Sequence, residues 1–182
     1  MFLFVLLIHA PKVAANPSDR FAWAVVLRDL CFGGAAWALA GSQSREWRPS
    51  AGLIAVGRFT MAIAMIFFGI EHLLHPTSLP GVPLPKMTPA WVPLGAFWGY
   101  LTGAVLLATG IALALKREDR MAATWAGLLI TALVLFIYPS LWPLASNPTE
   151  LTEATNYVAD TLLFGGSALI IAGACGRRRN AL

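Results

Sequence analysis

The chain has 182 residues, of which 58% are hydrophobic and only 12% charged, and its mean hydropathy is +0.69. That composition excludes an ordinary soluble domain. The net charge of +4 does not point to nucleic acid, because the basic residues gather at helix ends, in Lys116-Arg117-Glu118-Asp119-Arg120 and Arg177-Arg178-Arg179, as membrane topology signals do. Cys31 and Cys175 have neither C-x-x-C spacing nor a second pair, which argues against a zinc site or a disulfide framework.

Met1–Ile8 is apolar but too short to span a bilayer. It reads either as a signal peptide cleaved after Val13-Ala14-Ala15 or as the second half of a helix that begins upstream. An internal repeat favours the second reading. Phe32-Gly33-Gly34-Ala35-Ala36 followed by Ala40-Gly41 recurs as Phe164-Gly165-Gly166-Ser167-Ala168 followed by Ala172-Gly173. Residues 1–51 then form a partial module, 52–176 a complete four-helix module, and 177–182 a basic tail.

Five segments are long enough to cross about 30 Å of hydrocarbon: Phe21–Gly41, Gly52–Leu74, Leu94–Leu115, Met121–Tyr138 and Asn156–Cys175. The fold class expected is all-α, a polytopic transmembrane helical bundle. Asp29, Gly33, Ala36 and Ala40 fall at helical spacing, as do Thr161, Gly165, Ala168 and Ala172. Each set reads as a stripe along which helix backbones approach closely.

One side of the bundle carries Arg45, Arg48, Lys116, Arg117, Arg120 and the arginine tail, against Lys12, Arg20 and Lys86 on the other. That asymmetry predicts a cytoplasmic C-terminus. Trp23, Trp91, Trp98, Trp142 and Tyr157 on one side, and Trp37, Trp47 and Trp125 on the other, fit two interfacial belts.

Ionisable groups inside a membrane segment are costly and are functional candidates by default. Arg28, Asp29, Glu71, His72 and Asp160 all fall in the outer half of the predicted bundle. Arg28 and Asp29 point about 100° apart on their helix, and Arg28 corresponds to Asp160 in the repeat, so Arg28 is expected to pair with Asp160 or Glu71. Such a pair serves either a site or helix register alone. His72 with Glu71 or Asp160 is the expected proton-exchange set, because imidazole titrates near neutral pH. Arg28, Asp29 and Tyr157 are the expected binding residues. Arg58, near the cytoplasmic end, is expected to snorkel to headgroups.

A metal site is disfavoured because His75 precedes Pro76, which biases it out of the helix. A bis-histidine haem would need His9 and His72 at matched depth. The Pro-rich loop from Pro80 to Pro93 is stiff yet apolar. It reads either as a lid over the polar cluster or as an interfacial loop anchored by Trp91.

Gly57-Arg58-Phe59, Phe68-Gly69-Ile70-Glu71-His72, Pro80-Gly81-Val82-Pro83-Leu84, Trp98-Gly99-Tyr100-Leu101-Thr102-Gly103 and Asp160 resemble, in order and spacing, the DoxX-like group of small bacterial membrane proteins. The resemblance runs roughly from Gly52 to Gly173. It implies a four-helix membrane bundle and, for some members, a link to thiosulfate oxidation with quinone as acceptor or to oxidoreductase complexes that handle oxidative stress. The extra N-terminal helices depart from that pattern. The function expected is an accessory or quinone-interacting subunit of a membrane oxidoreductase, with the lipid bilayer and a membrane or periplasmic redox protein as partners. The alternatives are a non-catalytic membrane scaffold and a small-solute or proton carrier.

Overall fold

The computed structural model describes residues 1–43 and 50–179. They form an all-helical bundle. Helix α1 (Phe2–Phe4), a π-helical turn (Val5–His9) and α2 (Ala10–Ala15) make one short rod. Five long helices follow: α3 (Arg20–Gln43), α4 (Ser50–Leu74), α5 (Gly95–Leu115), α6 (Asp119–Phe136) and α7 (Pro148–Arg179), with a 3-10 turn at Tyr138–Leu141. All five are long and apolar enough to cross a membrane, as the composition predicts for a multi-pass membrane protein. Arg45, Trp47 and Arg48 lie outside the described residues.

Local chemistry sets the helix ends. Asp19 Oδ1 accepts the Phe21 and Ala22 N–H groups at 2.9 and 3.2 Å, which makes it the N-cap of α3. Asn147 and Glu150 cap α7 reciprocally. Asn147 Oδ1 accepts the Glu150 N–H at 3.0 Å, and Glu150 Oε2 accepts the Ser146 N–H at 2.7 Å. α5 ends at Lys116 in the left-handed region, φ 55°, with the Arg117 N–H turned back to the Ala112 carbonyl.

The helices follow one another around a ring that α3 closes by packing on both α4 and α7. The tight crossings are glycine pairs: Gly34 against Gly57, Gly69 against Gly103, and Gly127 against Gly165. A Cβ at either Gly34 or Gly57 would collide with the other helix, so contact there is backbone to backbone. The stripe expected on α7 is buried along its length. On α3 the expectation needs correction, because Ala36 and Ala40 are exposed and the buried arc runs through Cys31, Gly34, Ala35 and Ala38. The reason is that α3 touches three neighbours. Gly33 faces Met1 and Phe2 of the short rod, and Gly34, about 100° away, faces α4.

Large apolar side chains such as Phe59, Ile63, Leu135 and Phe136 cover the outer surface, as a lipid-facing wall requires. Inside, Phe68 and Phe164 join α4 to α7 with ring centroids 5.2 Å apart, and Tyr138 is fully buried. Arg58 differs from expectation. It is 8% exposed, and its guanidinium donates to the Leu113 and Ala114 carbonyls. The end of α5 leaves carbonyls without helical partners and carries partial negative charge, so it attracts the cation more strongly than a distant headgroup does.

Candidate functional site

The polar residues collect at the end of the bundle where α3 and α7 begin and α4 ends. They form two assemblies and a separate ion pair between α3 and α4. One is a network of charges between the short rod, α3 and α7; the other is a clamp that holds the Pro-rich loop.

In the network, Arg28 Nη1 donates to Asp160 Oδ2 at 2.5 Å, so the expected Arg28–Asp160 pair is present. Arg28 also meets the neighbouring Asp29 carboxylate through Nη2 at 3.0 Å and Nε at 3.1 Å. The other Asp29 oxygen, Oδ2, lies 3.2 Å from His9 Nε2. His9 ends the π-helical turn, a local rewinding that is frequent at functional positions. Asp29 is 4% exposed, whereas the Asp160 side chain is 32% exposed. At 1.5 Å per residue Arg28 lies about 12 Å from the start of α3. Tyr157 is half-buried against the core, one turn before Asp160.

Glu71 takes a different partner from those expected. It accepts from Arg20 Nη1 at 2.9 Å, joining the end of α4 to the start of α3. Arg20, at the first turn of α3, is closer to that end than Arg28, two turns further in, so Glu71 and Arg28 do not pair.

His72 is 1% exposed and fully engaged. Its Nδ1–H donates to the Phe68 carbonyl at 2.8 Å, and its Nε2 accepts the Gly81 N–H at 3.0 Å. One neutral tautomer satisfies both bonds. The ring therefore makes no hydrogen bond to Glu71 or Asp160, the residues with which the sequence groups it. α4 stops at Leu74, and His75 is an exposed residue before Pro76.

The loop does more than cover the cluster. A neck closes it, with the Leu79 N–H donating to Lys86 O at 2.8 Å and the Thr88 N–H to Thr77 O at 2.9 Å. Beyond the neck, Leu79 to Leu84 is buried without interruption, so the tip plugs the mouth of the bundle. Trp91, the expected anchor, is 56% exposed. Tyr138 Oη donates to the Pro80 carbonyl at 3.1 Å, and Gly81 sits at φ 139°, where side chains are strained. A Cβ on Gly81 would lie 2.5 Å from Tyr138 Oη and 2.9 Å from Thr161 Cγ2.

Beside the plug is an open cleft with only about 10 Å³ of room, roughly that of one water, whose walls include Arg20, Glu71, His72, His75, Ser78 and Leu84. Pockets for cofactor-sized ligands measure roughly 300–1,000 Å³, so a quinone ring does not fit there while the plug is seated.

Comparison with family models, curated proteins and solved structures finds no match to this chain.

His9, Arg20 and Tyr138 complete assemblies that sequence reasoning assigned to other residues. His9 had a signal in the sequence, as an imidazole on a short apolar segment. Arg20 had less, being one basic residue at a helix start.

Proposed function

We propose that this chain is an accessory subunit of a membrane oxidoreductase of DoxX-like type, and that the flank formed by α3 and α7 receives its redox partner. The supporting observation is the Arg28–Asp160 pair. It lies about two turns below the helix start, yet the Asp160 side chain is 32% exposed. An ion pair left partly open at membrane depth is costly unless another surface covers it, and charge pairs at an interface fix register and partner choice. Arg28 and Asp29 are the binding residues of this reading, with Tyr157 at its edge, and Asp160 keeps a proton-exchange role. Quinone is assigned to the partner, since the cleft beside His72 is too small for it.

The finer architecture belongs to the same proposal: a four-helix module over 52–176 preceded by a partial copy, in a bacterial inner membrane with the C-terminus in the cytoplasm. Gly33 faces the short rod as Gly165, its repeat equivalent, faces α6. That parallel supports the copy.

Leu163 lies one turn from Asp160 and is 51% exposed. A photo-crosslinking residue at Leu163 in native membranes is expected to capture a protein carrying a flavin, haem or redox thiol, and to lose it in the Asp160→Asn background. The same residue at Phe136, 78% exposed on α6, is the control and captures lipid. An adduct that persists unchanged in Asp160→Asn contradicts the proposal.

For Glu71 and His72 the scaffold reading is the better supported, because each is bound to another part of the chain.

A further inference from the structure

We infer that His9, Arg28, Asp29 and Asp160 form one binding site for a single exchangeable proton, shared between the His9–Asp29 pair and Asp160 across the Arg28 guanidinium. The inference extends the role proposed for Asp160, and its test is independent of partner capture.

The charges do not balance without a proton. Arg28 supplies one positive charge and the two carboxylates it contacts supply two negative charges. With His9 neutral, the site carries one net negative charge among apolar helices. An uncompensated charge in such surroundings is expensive. One added proton removes it, and two places are in range to hold that proton. On His9 it gives an imidazolium whose Nε2–H faces Asp29 Oδ2 at 3.2 Å. On Asp160 it gives a carboxylic acid beside Arg28, with Asp29 keeping the guanidinium as its counter-ion. Arg28 touches both carboxylates, so a change at one is felt at the other.

The remaining ionisable groups on the packed elements are committed elsewhere or stand at the edge. Arg20 is paired with Glu71, His72 holds the Gly81 N–H, and the buried Cys31 thiol donates to the Thr60 carbonyl. Lys12 is exposed, one turn beyond His9 on the short rod, and Tyr157 lies one turn before Asp160. The site is asymmetric in access. Asp29 is buried and the His9 side chain is 16% exposed, whereas that of Asp160 is 32% exposed, so Asp160 is the more open end of the site.

The chain has three histidines, which makes the test direct. Protein labelled with 15N-histidine in nanodiscs is titrated by NMR, and the His9 resonances are assigned by their loss in His9→Gln. In Asp160→Asn the site is neutral without an added proton, so the His9 midpoint is expected to move down by about one pH unit. Asp160→Glu, which keeps the charge, returns it to the wild-type value. Arg28→Gln leaves two uncompensated carboxylates and moves it up. Unchanged His72 and His75 resonances report an intact fold in each variant. If Asp160→Asn is not folded by that criterion, the upward move in Arg28→Gln decides the question. A His9 midpoint identical in wild type and in every folded charge variant overturns the shared site.

Discussion

His72 and Tyr138 hold the same peptide unit from its two sides: Tyr138 Oη donates to the Pro80 carbonyl at 3.1 Å, and His72 Nε2 accepts the adjoining Gly81 N–H at 3.0 Å. Both side chains are almost wholly buried. They come from α4 and from the turn after α6, so the Pro80–Gly81 peptide ties together two distant parts of the bundle.

Removing either grip leaves a buried backbone group without a partner, which costs about 1–3 kcal/mol. Tyr138→Phe is expected to lower stability by that amount in thermal unfolding in detergent, with little change in shape or volume. Because His72 and Tyr138 act on one peptide, the double variant His72→Ala with Tyr138→Phe should lose less than the sum of the singles. Strictly additive losses would mean that the plug is held by other contacts.

Gly81→Ala tests the plug from the backbone side. The new methyl would meet Tyr138 Oη and Thr161 Cγ2, and the φ of 139° is strained for any L side chain. A loss of about 2 kcal/mol or more is expected, comparable with overpacking plus backbone strain. Gly166→Ala and Gly173→Ala, whose added Cβ meets nothing within 4 Å, serve as controls with unfolding temperature unchanged or raised, since Ala is the better helix former. Equal stability of Gly81→Ala and the controls would place the loop outside the bundle.

Arg58 is predicted to be a helix cap and not a headgroup anchor. Arg58→Leu strands the Leu113 and Ala114 carbonyls at the end of α5 and is expected to cost about 1.5–3 kcal/mol, the usual worth of a hydrogen bond to a charged group. Arg58→Lys keeps the charge and should retain part of it. A headgroup anchor would instead show a dependence on anionic lipid content in nanodiscs, which the cap does not predict.

The five spans were legible because bilayer thickness dictates a long apolar run, and such runs survive any error in packing. The Arg28–Asp160 pair was legible because the repeat aligns the two residues and a charge at that depth needs a counter-charge. Other relationships depend on which helix face turns where, and the sequence does not state that. On α3 a 100° difference separates the expected stripe through Ala36 and Ala40 from the buried arc through Gly34 and Ala38. The plug was the larger surprise, since loops usually stay at the surface to keep their backbone groups hydrated. Its signal was nevertheless present. Pro80 and Pro83 remove two N–H donors from the buried stretch Leu79 to Leu84. That lowers the number of backbone partners burial requires, and Leu79, Val82 and Leu84 supply the apolar surface to be buried. The sequence points to His72 as a proton carrier because an imidazole beside an acid titrates near neutral pH. Only the positions of Phe68 O and Gly81 N show that both its nitrogens are already used.

On the proposed reading, the open charge pair on the α3–α7 flank serves the oxidoreductase, whereas the His72–Tyr138 clamp serves the fold. The most direct measurement is substrate-driven quinone reduction in native membranes containing equal amounts of wild-type, Asp160→Asn or Tyr138→Phe protein. The rate is expected to fall by about a hundredfold or more in Asp160→Asn, in the range lost when a positioned proton-transfer group is removed, and to stay near wild type in Tyr138→Phe for whatever protein remains folded. A wild-type rate in Asp160→Asn would contradict it.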